Sequence, residues 1–322
     1  MAEDEIHMNI SVVIPVYNSE PLLLELVLRL HPVLESLGSD YELILVDDGS
    51  RDRSWEVIFR LAQEHSWIRG INLMRNYGQH NALLCGIRAA QYDVVVTMDD
   101  DLQHPPEEIP KLLKKLTEGC DVVYGTPQKE PHRFWRNIAS RITKLALKSA
   151  IGAEIARSAS AFRAFRTYVR DAFADYQSPF VSIDVLLTWG TTRFATVPVR
   201  YDKRLIGESN FTFRKLVTHA LNMMTGFSTW PLQVASLVGF GFTLFGFSVL
   251  IYVLCRYLIE GGSVPGFPFL ASIIAIFSGA QLFALGIIGE YLARMHFRSM
   301  GRPYSFIRNT TGFSPNRDED KS

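Results

Sequence analysis

The stretch Thr97-Met98-Asp99-Asp100-Asp101-Leu102-Gln103 follows the apolar run Val94-Val95-Val96, and this junction decides the expected fold. Consecutive β-branched residues that end in polar ones are typical of a buried parallel strand. Side chains alternate along a strand, so Asp99 and Asp101 are expected on one side of its carboxyl end, where open α/β sheets bind ligands. With the carboxamide of Gln103 they form a hard oxygen site suited to Mg²⁺ or Mn²⁺. A solvated acidic turn is the alternative.

Strand and helix patterns alternate around this stretch over about the first two hundred residues. Strands are predicted over Asn9–Tyr17, Tyr41–Val46, Ile68–Leu73, Asp93–Met98, Asp121–Gly125, Phe162–Phe165 and Phe194–Tyr201. Helices are predicted over Pro21–Leu37, Ser54–His65, Gly78–Ala90, from Pro105 onward, and over His132–Ile151 and Phe180–Trp189. This rhythm predicts an α/β fold with a mostly parallel sheet that helices cover on both faces.

Hydrophobicity is strongly segregated toward the second half of the chain. Leu232–Cys255 and Pro268–Gly289 contain no Asp, Glu, Lys or Arg, and each reaches the roughly 20 apolar residues that span a bilayer. A pair of buried helices in a soluble core is the alternative. Basic residues flank the pair on both outer sides: Arg200, Lys203, Arg204, Arg214 and Lys215 before it, and Arg294, Arg298, Arg302 and Arg308 after it. The positive-inside rule therefore predicts a transmembrane hairpin with cytoplasmic flanks and an outside turn over Glu260–Gly266.

These patterns divide the chain into four parts. Residues 1–210 form a cytoplasmic α/β domain, and residues 211–231 form an amphipathic helix at the membrane surface. Residues 232–292 form the transmembrane hairpin, with spans over 232–255 and 268–289, and residues 293–322 form a cytoplasmic tail. The expected location is a cytoplasmic (inner) membrane, with both termini in the cytoplasm.

Charge and cysteine content exclude several classes of partner and compartment. Lys plus Arg and Asp plus Glu both number 33, so the formal net charge is zero and no global field attracts nucleic acid. Cys85, Cys120 and Cys255 match no metal-binding spacing and are expected to be free thiols in a reducing compartment. The acidic N-terminus predicts no signal peptide.

Two further motifs lie at predicted strand ends. Asp47-Asp48-Gly49-Ser50 follows the second strand, where a carboxylate can accept a hydrogen bond from a base imide or a ribose hydroxyl. An ordinary strand-to-helix turn is the alternative. Arg75-Asn76-Tyr77-Gly78-Gln79-His80-Asn81 precedes a helix, so Arg75 and the free N–H groups of that helix could face phosphate or ribose. For His80, packing or capping is the more common role.

Jointly, the motifs resemble those of glycosyltransferase family 2. They match the branch of dolichol-phosphate mannose synthases and undecaprenyl-phosphate sugar transferases, including 4-deoxy-4-formamido-L-arabinose transferases. The matching segments are Ser11–Asn18, Val46–Ser50, Arg75–His80, Asp99–Glu107, Gly207-Glu208-Ser209 and Leu285–Tyr291. The resemblance extends over nearly the whole chain.

The resemblance implies a GT-A fold and an inverting, metal-dependent transfer of a sugar to a polyprenyl phosphate. The donor is expected to be a UDP-sugar, with a GDP-sugar left open, and the acceptor undecaprenyl phosphate. Asp48, alone or with Asp47, would bind the nucleotide base, and Asp99, Asp101 and Gln103 would bind Mg²⁺ or Mn²⁺ on the donor diphosphate. Other residues that the resemblance assigns to the donor are Pro15, Tyr17 and Arg75, and those assigned to the acceptor phosphate are Arg204 and Ser209.

Two positions depart from the family pattern. Where relatives carry Asp three residues before Ser160, this chain has Arg157, and where many have Gly-Thr-Arg it has Gly125-Thr126-Pro127. Because a phosphomonoester has a second pKa of about 6, its oxygen is already largely deprotonated at neutral pH, and Arg157 could steer it instead. A non-catalytic, membrane-anchored sugar-nucleotide-binding or assembly protein is the alternative function. A processive polysaccharide synthase is disfavoured because the chain lacks a Gln-x-x-Arg-Trp motif, and a homo-oligomer is left open.

Overall fold

The computed structural model describes residues 8–38, 40–127, 159–178, 181–202, 230–260, 266–301 and 303–313. The strands are β1 (Ile10–Val16), β2 (Tyr41–Asp47), β3 (Ile68–Leu73), β4 (Val94–Thr97), β5 (Val122–Pro127), β6 (Arg163–Arg166), β7 (Phe194–Val199) and β8 (Ile307–Thr311). The helices are α1 (Leu23–Glu35), α2 (Ser54–Glu64), α3 (Gln79–Ala89), α4 (Ile109–Thr117), α5 (Ile183–Gly190), α6 (Trp230–Glu260) and α7 (Phe267–Ser299), with 3₁₀ turns at Pro106–Glu108 and Thr167–Phe173.

All eight strands belong to one sheet, in the order β7-β5-β6-β4-β1-β2-β3-β8. Strand β1 pairs in parallel with β2 and β4, β2 pairs in parallel with β3, and β5 with β7. Strand β6 runs antiparallel between β4 and β5, and β8 runs antiparallel along β3. The predicted α/β fold with a mostly parallel sheet is confirmed. Because β1, β2 and β4 are adjacent and parallel, their carboxyl ends meet at one edge.

Two apolar clusters cover the two faces of the sheet, as the strand sequences predict. Val12 and Ile14 of β1 pack into the cluster that includes the buried side of α1 and α4, whereas Val13 packs toward α3 and α5. Every residue of β1 is buried, which is why all of its residues except Ser11 are apolar. The Ser11 hydroxyl donates to Glu42 Oε1 of β2 at 2.6 Å. Each fully buried aliphatic side chain of this kind contributes about 1.5–3 kcal/mol to stability.

The acidic stretch lies outside a strand. Strand β4 ends at Thr97, one residue earlier than predicted, and Asp99–Asp101 fall in the turn that follows. Leu102 closes this turn with a φ of 57°, in the left-handed region. Strand alternation therefore does not determine where the three carboxylates point, and their orientation depends on the turn and on its neighbours.

The two apolar stretches form long helices, α6 and α7. Candidate membrane spans run over Leu232–Arg256 and Ile276–His296, by length and composition. The helices contact each other through Phe242 and Phe277, whose ring centroids lie 5.6 Å apart in an edge-on arrangement. The second candidate span begins and ends later than the predicted 268–289. The predicted helix over 132–151 and most of the predicted 211–231 helix lie outside the described residues.

The chain returns to the sheet after the two apolar helices. Residues Ile307–Thr311, within the predicted C-terminal tail, pair with β3 and complete the sheet as β8. The polar sequence of β8 has no apolar alternation, and pairing with the otherwise open edge of β3 provides its hydrogen bonds. Gly312 follows with a φ of 74°, and the ring of Phe313 lies 3.8 Å from the Arg69 guanidinium.

Candidate active site

Four loops meet at the carboxyl edge of the sheet, after β1, β2, β3 and β4. The side chain of Asp48, after β2, accepts hydrogen bonds from the backbone N–H groups of Tyr77 (2.7 Å) and Gly78 (2.8 Å) in the loop after β3. Asp48 is only 3% exposed, and burial raises its pKa to about 6, an effect that these two hydrogen bonds oppose. Both of its oxygens therefore already support the neighbouring loop. Its predicted contact with a nucleotide base stays a prediction.

Gly49 allows the two loops to approach closely. Its φ is 67°, and a Cβ atom there would lie 2.5 Å from the backbone carbonyl carbon of Arg75. Any other residue at position 49 would therefore displace the segment that carries Arg75. The exposed guanidinium of Arg75 lies 4.7 Å from the ring centre of Tyr77. The structure thus brings together the two motifs to which donor binding was assigned.

The loop after β1 is bonded to the loop after β2. Asn18 adopts a φ of 54°, and its backbone N–H donates to Ser50 Oγ at 3.0 Å, while its side-chain oxygen accepts from the N–H of Arg51 at 2.8 Å. Asp47 accepts a hydrogen bond from the N–H of Ser50 at 3.3 Å, and burial raises its pKa. Pro15 lies within β1, and Tyr17, at its end, is 42% exposed.

The three consecutive aspartates have three different partners. Asp99 Oδ1 accepts from Gln79 Nε2 at 2.5 Å, and Asp101 Oδ1 accepts from the backbone N–H of Gln103 at 3.1 Å. Asp100 instead turns toward the loop after β1, where its Oδ2 accepts from Ser19 Oγ at 2.5 Å. Burial raises the pKa of Asp100 to about 6, and the Ser19 hydroxyl opposes the rise.

Sequence reasoning missed this role of Asp100. Three adjacent carboxylates in a turn carry no periodic signal that would separate their directions. Asp100 joins the loops after β1 and β4, since the backbone N–H of Tyr17 also faces its Oδ2 at 3.4 Å. Asp99 and Asp101 accept instead from Gln79 and from the backbone of Gln103.

The predicted metal ligands fit a hard cation that shares its coordination with a bound substrate. Within the described ranges, no group of three or more His, Cys, Asp or Glu side chains could hold a metal ion. The predicted set has two carboxylates, Asp99 and Asp101, and the carboxamide of Gln103. Mg²⁺ is commonly bound by one or two carboxylates together with substrate phosphates and water, so this donor set is chemically suitable.

The residues assigned to the acceptor lie elsewhere in the chain. Arg157, Arg204 and Ser209 fall outside the described residues, and their roles stay predictions. The side-chain oxygen of Gln103 accepts a hydrogen bond from the Tyr201 hydroxyl at 2.7 Å. Tyr201 precedes Arg204 and Ser209 by three and eight residues in the sequence.

The raised pKa of Asp48 predicts a pH dependence of stability. An unfolded aspartate has a pKa of about 3.9, so between about pH 4 and pH 6 the folded protein keeps a proton that the unfolded chain releases. The stability that this group contributes is fully present below about pH 4 and is lost as the pH rises through about 6. We expect the unfolding midpoint to fall more steeply over this range in the unchanged protein than in Asp48→Asn. Thermal unfolding in detergent between pH 4 and 7 measures both slopes.

The control for this experiment is Asp93→Asn, at an exposed aspartate before β4. It should reproduce the slope of the unchanged protein. Equal slopes in Asp48→Asn and the unchanged protein would contradict the expectation.

Several solved structures share this fold. Glucosyl-3-phosphoglycerate synthase from Mycobacterium tuberculosis, in complex with Mn²⁺ and UDP-glucose, is 20% identical, with a TM-score of 0.51 over 68% of this chain and 77% of that one. The same synthase in complex with phosphoglyceric acid is 20% identical, with a TM-score of 0.51 over 68% and 78% of the two chains. A further mycobacterial protein is 18% identical, with a TM-score of 0.52 over 69% and 74%. At these identities the likeness shows the fold.

The family is established by the sequence itself. The family model described as glycosyl transferase family 2 matches residues 11–175, about half of the chain. The matched region runs from Ser11 of β1 through β6 and contains all four loops at the carboxyl edge of the sheet. The chain therefore belongs to glycosyl transferase family 2, and it is a glycosyltransferase with an α/β GT-A fold.

Proposed function

We propose that this glycosyltransferase transfers a sugar from a UDP-sugar to a polyprenyl phosphate, with inversion, at the cytoplasmic face of a membrane. The observation that carries the proposal is the path of the chain. It leaves the sheet after β7, forms two helices apolar enough to span a bilayer, and returns to the same sheet as β8. Two spans between two segments of one sheet would leave both segments on the same side of a membrane, which supports a lipid acceptor close to the loops of the sheet.

The donor half of the proposal rests on the four loops at the carboxyl edge. The nucleoside is assigned to the space bordered by Asp47, Asp48 and Arg75, whose loops are held together by Gly49. The diphosphate is assigned to Asp99 and Asp101. The mycobacterial synthase that shares this fold was solved with UDP-glucose and Mn²⁺, which supports a UDP-sugar donor and a divalent cation. The nucleoside would then lie at the loop after β2, which Asn18 bonds to the loop after β1. The diphosphate would lie at the loop after β4, which Asp100 bonds to the same β1 loop.

A Mg²⁺ or Mn²⁺ ion would be held by Asp99, Asp101 and Gln103. When bound, it supplies positive charge that stabilises the departing nucleoside diphosphate. The side-chain amide of Gln79, at the start of α3, orients Asp99 through their 2.5 Å hydrogen bond. Asp100 holds the β1 loop against the same turn, which limits the movement of the donor loops during transfer.

The acceptor half of the proposal rests on the chemistry of the phosphate. A lipid phosphomonoester with a second pKa of about 6 is mostly dianionic at neutral pH, so its oxygen can attack the anomeric carbon without a strong protein base. Cationic side chains would then matter more than a carboxylate. Arg157 and Arg204 are assigned to steering this phosphate, with Ser209 as a hydrogen-bond donor.

The assay that tests the proposal uses the full chain in nanodiscs with a panel of UDP- and GDP-sugars. We expect nucleoside diphosphate release and transfer of labelled sugar into the organic phase, both dependent on undecaprenyl phosphate and on Mg²⁺ or Mn²⁺. Phosphoglyceric acid serves as the soluble phosphorylated control acceptor. Transfer to phosphoglyceric acid alone, or nucleotide binding without transfer to any acceptor, would contradict the proposed acceptor.

The proposed topology makes a separate prediction. In a background without the native cysteines, a cysteine at Ser263 should react with an impermeant thiol reagent in intact cells, and one at Ser322 should react only after lysis. The reason is that both flanks of the hairpin are assigned to the cytoplasm and only the turn faces outside. Reversed labelling would place the donor site away from cytoplasmic nucleotide sugars and contradict the orientation.

A further inference from the structure

The segment after β7 is hydrogen-bonded at two points to Gln103, at the end of the acidic stretch, and at one point to Glu108, in the following 3₁₀ turn. The backbone N–H of Arg200 donates to Glu108 Oε2 at 3.2 Å, and the backbone N–H of Asp202 donates to the carbonyl oxygen of Gln103 at 2.8 Å. Between them, the Tyr201 hydroxyl donates to Gln103 Oε1 at 2.7 Å. The next residues in the chain lead to the predicted acceptor positions. One short segment therefore contacts the proposed metal ligand and directly precedes, in sequence, the residues assigned to the acceptor.

The ring of Tyr201 packs against His104, which in turn stacks on Phe162. His104 stacks on Phe162, with ring centroids 5.3 Å apart, and Tyr201 meets His104 edge-on at 5.0 Å. His104 is only 8% exposed, and neither of its ring nitrogens has a hydrogen-bond partner among the described residues. His104 therefore acts here as a packing surface. This packing directs the Tyr201 hydroxyl at the carboxamide of Gln103.

A carboxamide is an ambiguous ligand unless its orientation is set. Its oxygen can coordinate a cation, whereas its NH₂ group cannot, and rotation by about 180° exchanges the two. The oxygen has two lone pairs, so it can accept one hydrogen bond and coordinate one cation together. A hydrogen-bond donor that is fixed by packing and bonded to this oxygen would hold the carboxamide in one rotamer.

We propose that Tyr201 is a positioning residue that orients Gln103 toward the cation. The inference rests on the metal site of the proposed function. Partners that hydrogen-bond to metal ligands typically change metal affinity or activity by about 10- to 100-fold when they are removed. Tyr201→Phe is the suitable test because it removes the hydroxyl and keeps the ring against His104.

The experiment measures Mn²⁺ binding to the full chain in the presence of UDP, from the electron paramagnetic resonance signal of free Mn²⁺. We expect Tyr201→Phe to weaken Mn²⁺ binding about 10-fold, with an unchanged unfolding midpoint. Its transferase activity should recover when Mn²⁺ is raised. The matched control is Tyr168→Phe, which removes a hydroxyl bonded to Asp121 at 2.6 Å, beside the start of β5. This control should bind Mn²⁺ as the unchanged protein does.

A double substitution tests whether Tyr201 acts through Gln103. In a Gln103→Ala background, Tyr201→Phe should cause no further loss of Mn²⁺ affinity. Equal Mn²⁺ affinity in Tyr201→Phe and the unchanged protein would overturn the inference, and so would a full 10-fold loss that persists without Gln103. Failure of the proposed metal site has a different signature, because the unchanged chain itself would then bind no Mn²⁺ with UDP. Failure of the proposed acceptor would appear in the transfer assay and would leave Mn²⁺ binding unchanged.

Discussion

We expect Asp101→Asn to lower kcat by about 10²- to 10³-fold, because the substitution removes a charged ligand from the proposed cation site. Metal ions of this kind contribute several kcal/mol to transition-state stabilisation, and each 1.36 kcal/mol is tenfold in rate. Asparagine keeps an oxygen at the position that accepts from the backbone N–H of Gln103, so the turn after β4 should be preserved. The assay is transfer of labelled sugar to undecaprenyl phosphate at saturating donor.

The control is Asp93→Asn, which changes an exposed aspartate at the opposite end of β4. This variant should retain full activity, and chelation by EDTA should reduce the unchanged protein to the level of Asp101→Asn. Full activity of Asp101→Asn in the presence of EDTA would contradict the assignment of Asp101 to a metal.

Asp184→Ala should destabilise the catalytic domain by about 3–5 kcal/mol, because it leaves a buried guanidinium without its counter-ion. The side chain of Arg163 is 2% exposed, and its Nη1 lies 2.5 Å from Asp184 Oδ1. The same oxygen accepts from the Tyr124 hydroxyl at 3.0 Å. A loss of this size corresponds to a decrease of roughly 6–20 °C in the unfolding midpoint for a domain of about 200 residues. Differential scanning fluorimetry in detergent measures it.

Two further variants show whether the loss of stability in Asp184→Ala comes from the unpaired charge of Arg163. Asp171→Ala, at an exposed aspartate, should leave the midpoint within about 1–2 °C. The double substitution Arg163→Met with Asp184→Leu should recover part of the lost stability, because a buried ion pair can often be replaced by apolar residues. A midpoint that is unchanged in Asp184→Ala would show that the Arg163 charge finds compensation elsewhere.

The sheet and the apolar helices could be predicted from the sequence because their signals are local. Strands β1, β2 and β4 are rich in valine, isoleucine and leucine because both faces of the sheet are buried, and this pattern marks parallel strands without knowledge of their partners. The same reasoning located the loops after these strands, and with them Asp48, Asp99 and Asp101. The two apolar stretches stand out by length alone.

Side-chain direction in the turns could not be predicted in this way. Asp99, Asp100 and Asp101 follow the end of β4, where the period of two no longer applies, and each has a different partner. Asp48 appears in the sequence as a potential ligand for a base, yet both of its oxygens accept backbone N–H groups from a loop about thirty residues later. Such partners depend on which loops meet in space.

By itself, the sequence determined the fold class, the strands of the parallel core and the loops at the carboxyl edge of the sheet, because burial leaves periodic patterns in neighbouring residues. Only the tertiary structure decided that Ile307–Thr311 closes the sheet and that Tyr201 meets Gln103. Both are contacts between segments that lie far apart in the chain. Their hydrogen bonds form between polar groups that have no hydrophobic pattern, so their partners are defined by the folded sheet.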